Sequence, residues 1–600
     1  MIDRLRYRLD SAFSRGNSVV ILWLAAVVGA VILAAAVIVT ILDVSYGNSS
    51  GKGLLEDGWQ SLLRVLDTGT IANDSGWPTR IVALVITLAG ILIASSLIGL
   101  VATGIDRKIN DLRKGRSRVI EEHHTLILGW SPRLFGVIRQ LVLAGDVGAR
   151  SCIVVLADRD KVDMEDEIHA RVGDTHKTRV RCRTGDPASP ADLELVNAFA
   201  AKSIVVLGGA DDGDAEAVKA VLAVMADDPE LERAHVVAEL SDEHNAQTLR
   251  DASNGRVLAV RSAYVIASVT AQACRQSGLA AVFQELLDFE GDELHFARLP
   301  ELDGRPFGVA LDALDDSTLL GVRHGDGSIV LNPPMDTVLT GDDTVIAMSE
   351  NDDTVRCNGS GVATQAPPPP VDAVPQRAPE QLLVIGWNPL GAQIMHELDQ
   401  FLAPGSTVEV LVDEVLVPAG EHVVEPALSN LAVSFHVTEG DPHVVSQRAR
   451  AQRYQHIILL GYRTGISAAN ADARTLLSLL QLHRCLHEVG ARASTRIVAE
   501  LLDPADVELG RVTAADDLIV SDELASLMMA QLAERPELDV VFNDLFDANR
   551  AVISLKPVEW YLPPGTVVFA ACVDAARRRG EVALGYRHAS GTGGLGVSGV

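Results

Sequence analysis

A short apolar strand running into a glycine–tryptophan turn occurs twice in this chain, and that repetition constrains the fold more than any other feature. Thr125-Leu126-Ile127-Leu128 leads into Gly129-Trp130-Ser131-Pro132, and Leu382-Leu383-Val384-Ile385 leads into Gly386-Trp387-Asn388-Pro389. Each turn is followed by a helical pattern and then by a strand with an acidic end, Ile153–Asp158 and Val408–Asp413. The match continues in the same order through Gly185-Asp186-Pro187 and Gly440-Asp441-Pro442, then Ser203–Leu207 and His456–Leu460. Val237-Ala238-Glu239-Leu240 and Val498-Ala499-Glu500-Leu501 follow, and finally Gly321-Val322-Arg323-His324 and Gly585-Tyr586-Arg587-His588. This is an internal duplication. Short buried strands alternating with helices predict, in each copy, a parallel sheet covered on both faces. A Pro-, Ala- and Gly-rich stretch, including Pro367–Pro370, reads as an extended linker between them. The expected domains are 123–357 and 381–590, with the linker at 358–380 and a disordered Gly-rich tail at 591–600.

The region before the duplication has a different character. Val19–Leu42 carries no charged residue, and at about 1.5 Å per helical residue it exceeds the thickness of a bilayer core. It is too long for a signal-peptide core and lacks a small-residue cleavage site after Leu42. Ile81–Val101 is a second such run, interrupted only by Thr87, Ser95 and Ser96 among polar side chains. Arg4, Arg6, Arg8 and Arg15 precede the first run; Arg107, Lys108, Arg113, Lys114, Arg116 and Arg118 follow the second; Lys52, Arg64 and Arg80 lie between. The positive-inside rule then puts both termini in the cytoplasm and makes this a multi-pass cell-membrane protein. Expected segments are a cytoplasmic N-terminus at 1–18, a pore domain at 19–107 with helices at 19–42 and 81–101, and a linker at 108–122.

Between the two runs, Trp59, Leu62, Leu63 and Leu66 form one apolar helical face. A short helix that ends near Asp67 would aim its negative dipole end at a dehydrated cation, with hydroxyls and carbonyls following it. The segment 55–79 is therefore the expected re-entrant pore loop, and Asp67, Thr68, Gly69, Thr70, Ile71, Ala72, Asn73 and Asp74 are its candidate filter residues. A periplasmic loop whose apolar face packs on the two helices, with its acids solvated, is the alternative. Two helices cannot enclose a pore alone, so the pore reading requires a homo-oligomer.

The net charge is −29, yet residues 1–120 hold 13 Lys and Arg against 9 Asp and Glu. All of the net negative charge thus lies beyond residue 120, which argues against nucleic acid as a partner and favours inorganic cations. The six cysteines are dispersed without a C-x-x-C pair, which suits a reducing compartment and suggests no zinc site. His483 and His487, one helical turn apart, lack an evident third metal ligand. Glu285, Asp288, Glu290, Asp292 and Glu293 are hard-oxygen candidates for calcium, or simply a solvated face.

In a dinucleotide fold, G-x-G-x-x-G permits a tight turn and close approach of a pyrophosphate, and an acid ending the second strand holds the ribose. The second copy keeps Gly386 and Gly391 with Asn388 between them; the first keeps Gly129, with Ser131 and Leu134 at the other places. Gly129, Ser131, Asp158, Gly386, Asn388, Gly391 and Asp413 are the candidate cofactor-binding residues. Purely structural turns are the alternative, and no acid–base pair for catalysis accompanies them.

The Gly-Asp turns, the Val236–Leu240 and Val498–Leu501 strands and the tandem arrangement resemble domains that regulate potassium conductance, the RCK and TrkA-N type. Together with Leu66-Asp67-Thr68-Gly69-Thr70 and Asp111–Ser117, they make the chain similar to the CASTOR/POLLUX group of channels over nearly all of its length after Val19. The resemblance implies an α/β chain: two transmembrane helices with a re-entrant pore loop, then two tandem Rossmann-like parallel-sheet domains, each with a C-terminal lobe. It implies a tetrameric, lipid-embedded, ligand-gated cation channel rather than an enzyme, with a cytoplasmic ring that pulls on the second helix. The conducted ion stays open between potassium and calcium, and the ligand among NAD, another nucleotide and calcium. A membrane-anchored, TrkA-like regulator of a separate transporter and a membrane-tethered nucleotide-dependent enzyme are the competing readings.

Overall fold

The computed structural model describes residues 117–600, apart from 147–150, 210–212, 229–232, 315–316, 351–353, 358–377, 418–419, 421–423, 425–427, 439–442, 589–592, 596–600 and a few single positions. It also describes 53–66, 76–113 and scattered positions between 26 and 41. The chain divides into two units, Met1–Arg116 and Ser117–Val600.

In the first unit, α1 (Leu54–Leu66) ends at the place expected from the Trp59–Leu66 stripe. The candidate filter, Asp67 to Asp74, lies outside the described residues. Helix α2 (Trp77–Arg113) runs without a break through the second apolar stretch, and Ile81, Leu84, Val85, Leu88 and Leu92 are exposed along it. Among the described residues no helix is long and apolar enough to cross a membrane. Half of Val19–Leu42 and several side chains of Ile81–Val101, among them those of Ile93 and Ala94, lie outside the described residues. The linker expected from residue 108 starts later, because no glycine or proline interrupts the chain from Arg107 to Arg113. Gly115, with φ +63°, lies just past the helix end, the left-handed conformation typical of a C-terminal stop.

The second unit opens with β1 (Thr125–Leu128), α3 (Arg133–Asp146), β2 (Cys152–Ala157), β3 (Arg179–Thr184), β4 (Ser203–Val206), β5 (His235–Leu240) and β6 (Val257–Arg261). The strands form one parallel sheet in the order β3-β2-β1-β4-β5-β6. Helices α4 (Ser262–Arg275) and α5 (Leu279–Leu287) follow, then a small antiparallel sheet of β7 (Glu293–Ala297), β8 (Thr318–Arg323), β9 (Ile329–Leu331) and β10 (Thr344–Ser349). The duplication then repeats itself in three dimensions. Strand β11 (Gln381–Ile385), α6 (Leu390–Phe401), β12 (Ser406–Asp413), β13 (Leu431–Thr438), β14 (His456–Leu459), β15 (Arg496–Leu501) and β16 (Asp517–Val520) give a second parallel sheet, ordered β13-β12-β11-β14-β15-β16.

Helices α7 (Ser521–Glu534) and α8 (Leu538–Phe546) occupy the places of α4 and α5. The second lobe departs from the first. In place of a four-stranded sheet it has α9 (Phe569–Arg577) and a two-stranded ladder, β17 (Gly585–Arg587) with β18 (Gly593–Leu595). Pro557, Pro563 and Pro564 remove ladder donors from the intervening chain. The tail expected to be disordered from 591 is corrected at Gly593–Leu595, because main-chain pairing with β17 needs no side chains.

Alternation along the strands sorts the cores. Leu126, Leu128, Val154 and Leu156 face one core under the outer helices of the first sheet. Ile127, Val155 and Val205 face another, which also contains Ile394, Leu398, Leu524 and Met528 from the second half. The two halves therefore share one core, built by an exchange of helices. Helix α4 of the first half packs on α6 of the second, and α7 of the second packs on α3 of the first. Gly136 allows the second crossing: a Cβ there would meet Ser526 Cβ at 2.7 Å. Each exchanged helix is also fastened at its C-terminal end. Lys202 Nζ lies 2.6 Å from Glu534 and His235 Nε2 donates to Ala533 O at 2.8 Å. At the other crossing, Glu380 pairs with His456 at 2.8 Å and with Arg275 at 3.8 Å.

Candidate ligand crevices at the strand ends

Both glycine turns are built as the sequence requires. Gly129 has φ +98° and Gly386 φ +86°, a region L-residues avoid. A Cβ at either would press on the carbonyl of the neighbouring strand end, Leu207 O at 2.8 Å or Leu460 O at 2.4 Å. The turns thus bring β1 and β11 close to the chain leaving the fourth strand, the place where a parallel sheet opens a crevice.

Around these turns the copies differ. In the first, Trp130 is half-buried, edge-on to Phe135, and Arg159 lies over its ring at 4.5 Å. Asp158, the expected ribose acid, is exposed. Ser131 is only 5% exposed and its Oγ has no hydrogen-bond partner. In the second copy Trp387 is buried edge-on to Phe435, and its ring fills the space beside Gly391, where a Cβ would sit 2.7 Å away. Asn388 donates to Gly461 O at 2.8 Å and to Glu500 Oε2 at 2.7 Å, and accepts from Leu390 N. Asp413 is 5% exposed, accepts from Val415 N and is paired with Arg474 at 3.3 Å. The seven residues singled out in the sequence thus all reach the strand ends, but form two unlike sites.

One buried acid completes each crevice. Glu239 and Glu500 end the fifth strands at 2% and 3% exposure. Glu239 accepts from Gly208 N at 3.4 Å and pairs with Arg133; burial raises its pKa while Arg133 works against that shift. Arg133 also reaches across to the other half, its Nε lying 3.1 Å from Asp522 Oδ1. Glu500 accepts from Gly461 N at 3.0 Å, from Ser521 Oγ, and pairs with Arg463 at 2.6 Å. Sequence reasoning assigned no role to these acids or to Arg133. The available signal was an acid at the same place in two otherwise apolar strands.

Two of the acids considered for calcium are engaged in pairs within the protein. Among the described residues no group of three or more His, Cys, Asp or Glu side chains could hold a metal ion. Asp288 accepts from Gln140 at 3.0 Å and Glu293 pairs with Arg535 at 2.5 Å. Two clefts of about 460 Å³ each border α8, one beside Arg323, His324 and Asp342, the other beside Arg250, Arg261 and Asp539. Neither is lined by a residue of the glycine turns.

Fold and crevices define a tandem pair of Rossmann-type domains, fused through exchanged helices. Residues 263–364 match the family model described as Castor and Pollux, part of voltage-gated ion channel. The probable ion channel POLLUX of Arabidopsis thaliana is 30% identical, over 97% of this chain and 74% of its own length. The probable ion channel CASTOR of Oryza sativa subsp. japonica is 31% identical, over 92% of this chain and 66% of its own length. The GsuK channel bound to NAD aligns in structure over 88% of this chain and 86% of its own, with a TM-score of 0.42 and 18% identity. The chain belongs to the CASTOR/POLLUX family of ion channels, and spans about two thirds to three quarters of the plant relatives named here.

Proposed function

We propose that this chain is a subunit of a ligand-gated cation channel, conducting potassium or calcium, in which the fused double-sheet unit is the sensor. Residues 19–107 form the pore domain of a tetramer, with Asp67–Asp74 as the filter and both termini in the cytoplasm. The outward apolar residues of α2, Ile81, Leu84, Val85 and Leu88, support a lipid-facing role. The observation that carries the sensor reading is Arg133. It bridges Glu239 in the first crevice and Asp522 in the second half, so an occupant of the crevice changes a contact that holds the halves together. A ligand shifts such an equilibrium only by its differential affinity for the two arrangements, about 100-fold for ~2.7 kcal/mol. No chemical step is assigned to the chain.

The test is the full chain in planar bilayers under potassium, sodium and calcium gradients. Cation-selective currents are expected, and Asp67→Asn with Asp74→Asn lowers conductance without loss of assembly, because each removes a ring of charge. Silent bilayers, with normally assembled protein, would favour the regulator of a separate transporter instead.

A further inference from the structure

Although the two crevices descend from one ancestral unit, their side chains differ in a way that separates their roles. We propose that only the first crevice takes a ligand, a nucleoside diphosphate or dinucleotide with its phosphate on the start of α3 and its ribose on Asp158, while the second is sealed by its own side chains. This deepens the ligand-gating reading above and rests on it for its consequence, though not for its chemistry.

The divergence starts at one position. Where the second copy has Gly391, the first has Leu134, fully buried in the shared core. At the first turn a leucine side chain stands where the second has none, and Trp130 is half-buried, edge-on to Phe135. Gly391 leaves that space empty and the Trp387 indole packs into it. A tryptophan at the edge, with Arg159 on its face, offers a base a flat surface; the buried one offers nothing.

Polar groups follow the same division. The second crevice has used its hydrogen-bonding capacity: both Asn388 amide protons and its oxygen are engaged, Asp413 is held by Arg474, and Arg463 is held by Glu500. In the first, Ser131 Oγ is buried without a partner immediately before a helix of 14 residues. Leaving a buried hydroxyl unpaired is unfavourable, and a phosphate oxygen is the acceptor the site lacks. The first-turn amides of α3 and its dipole favour an anion there. Arg133 supplies a full positive charge at the first helical position, where the second copy has Leu390. Asp158, exposed at the end of β2, is free to accept from two ribose hydroxyls. An arriving phosphate would compete with Asp522 for the Arg133 guanidinium, which links occupancy to the contact between halves.

The experiment is calorimetric titration of the detergent-purified full chain with ADP, with NAD and with inorganic phosphate. One site per chain for ADP or NAD is expected, together with quenching of Trp130 emission that is absent in Trp130→Phe. Asp158→Ala, a change at an exposed position, weakens ADP or NAD at least tenfold and leaves any phosphate binding unchanged; Asp413→Ala leaves both unchanged. Two sites per chain, equal loss in the Asp413 variant, or no binding of either nucleotide near 1 mM would overturn the assignment. Single-site binding that leaves bilayer currents unaltered would uphold the assignment and remove only the ligand-gating reading.

Discussion

Arg133 Nε lies 3.1 Å from Asp522 Oδ1, an ion pair between residues that stand at the starts of the two helices, α3 and α7, that cross between the halves. The same guanidinium pairs with Glu239, whose side chain is 2% exposed. One cation therefore serves a fully buried acid of its own sheet and a partly buried acid of the other half.

The pair should behave asymmetrically under mutation. Arg133→Ala leaves Glu239 buried without its cation and is expected to cost about 3–5 kcal/mol, whereas Asp522→Ala costs about 1 kcal/mol. A double-mutant cycle on the full chain, read by denaturant unfolding, should give a coupling of about 1–3 kcal/mol. Strict additivity would mean that the contact does not hold the halves together.

Gly136 should tolerate no side chain while Ser526 faces it. Alanine normally favours a helix by about 1 kcal/mol over glycine, but here its Cβ would fall 2.7 Å from Ser526 Cβ and Oγ. Gly136→Ala is thus expected to destabilise by about 1–3 kcal/mol. Combining it with Ser526→Gly should recover most of that loss. A Gly136→Ala chain with a raised melting temperature would show that the crossing is looser than described.

Asp517 gives a pH-dependent contact between halves. Its Oδ2 accepts from Gly278 N at 2.6 Å, and burial, opposed by hydrogen bonds from Gly278 and Ala280, pushes its pKa up to about 7. The unfolded chain releases this proton near pH 4. Between those values the folded state binds more protons, so stability falls as pH rises through the window, and the full cost is present above it. Asp517→Asn should therefore raise the melting temperature at pH 8, by the equivalent of about 1–3 kcal/mol, and give no gain at pH 4. A gain of equal size at both pH values would exclude this cause.

The Glu380–His456 pair at 2.8 Å has the opposite sign. Burial disfavours the His456 imidazolium, but Cys274 and Glu380 outweigh it and hold the pKa up to about 10. Stability from this pair is complete below about pH 6.5 and lost as pH rises through about 10. Glu380→Gln is expected to cost about 2–4 kcal/mol at pH 6, with the gap to the parent chain closing toward pH 10. Urea titrations at the two pH values decide it.

The sequence alone determined the duplication, the parallel sheets, the glycine turns and the end of α1, because each is a local pattern: alternating apolar strands, a residue forced to positive φ, a stripe at helical spacing. Helix α2 ran past its expected end because hydropathy marks where lipid contact stops, not where backbone hydrogen bonding does. Only the tertiary structure decided that α4 and α7 exchange between halves, since an apolar helix face reports that it is buried without naming what covers it. The inequality of the crevices was likewise hidden. Gly391 and Leu134 read in sequence only as a kept and a lost motif position, with candidate residues in both copies. In space the kept glycine makes room for the Trp387 ring, while at the first turn Leu134 is buried in the shared core, Trp130 stays half-buried and Asp158 stays exposed. Which side chain a turn buries depends on what else can fill the space beside it, and that is settled by three-dimensional packing, not by the order of residues along the chain.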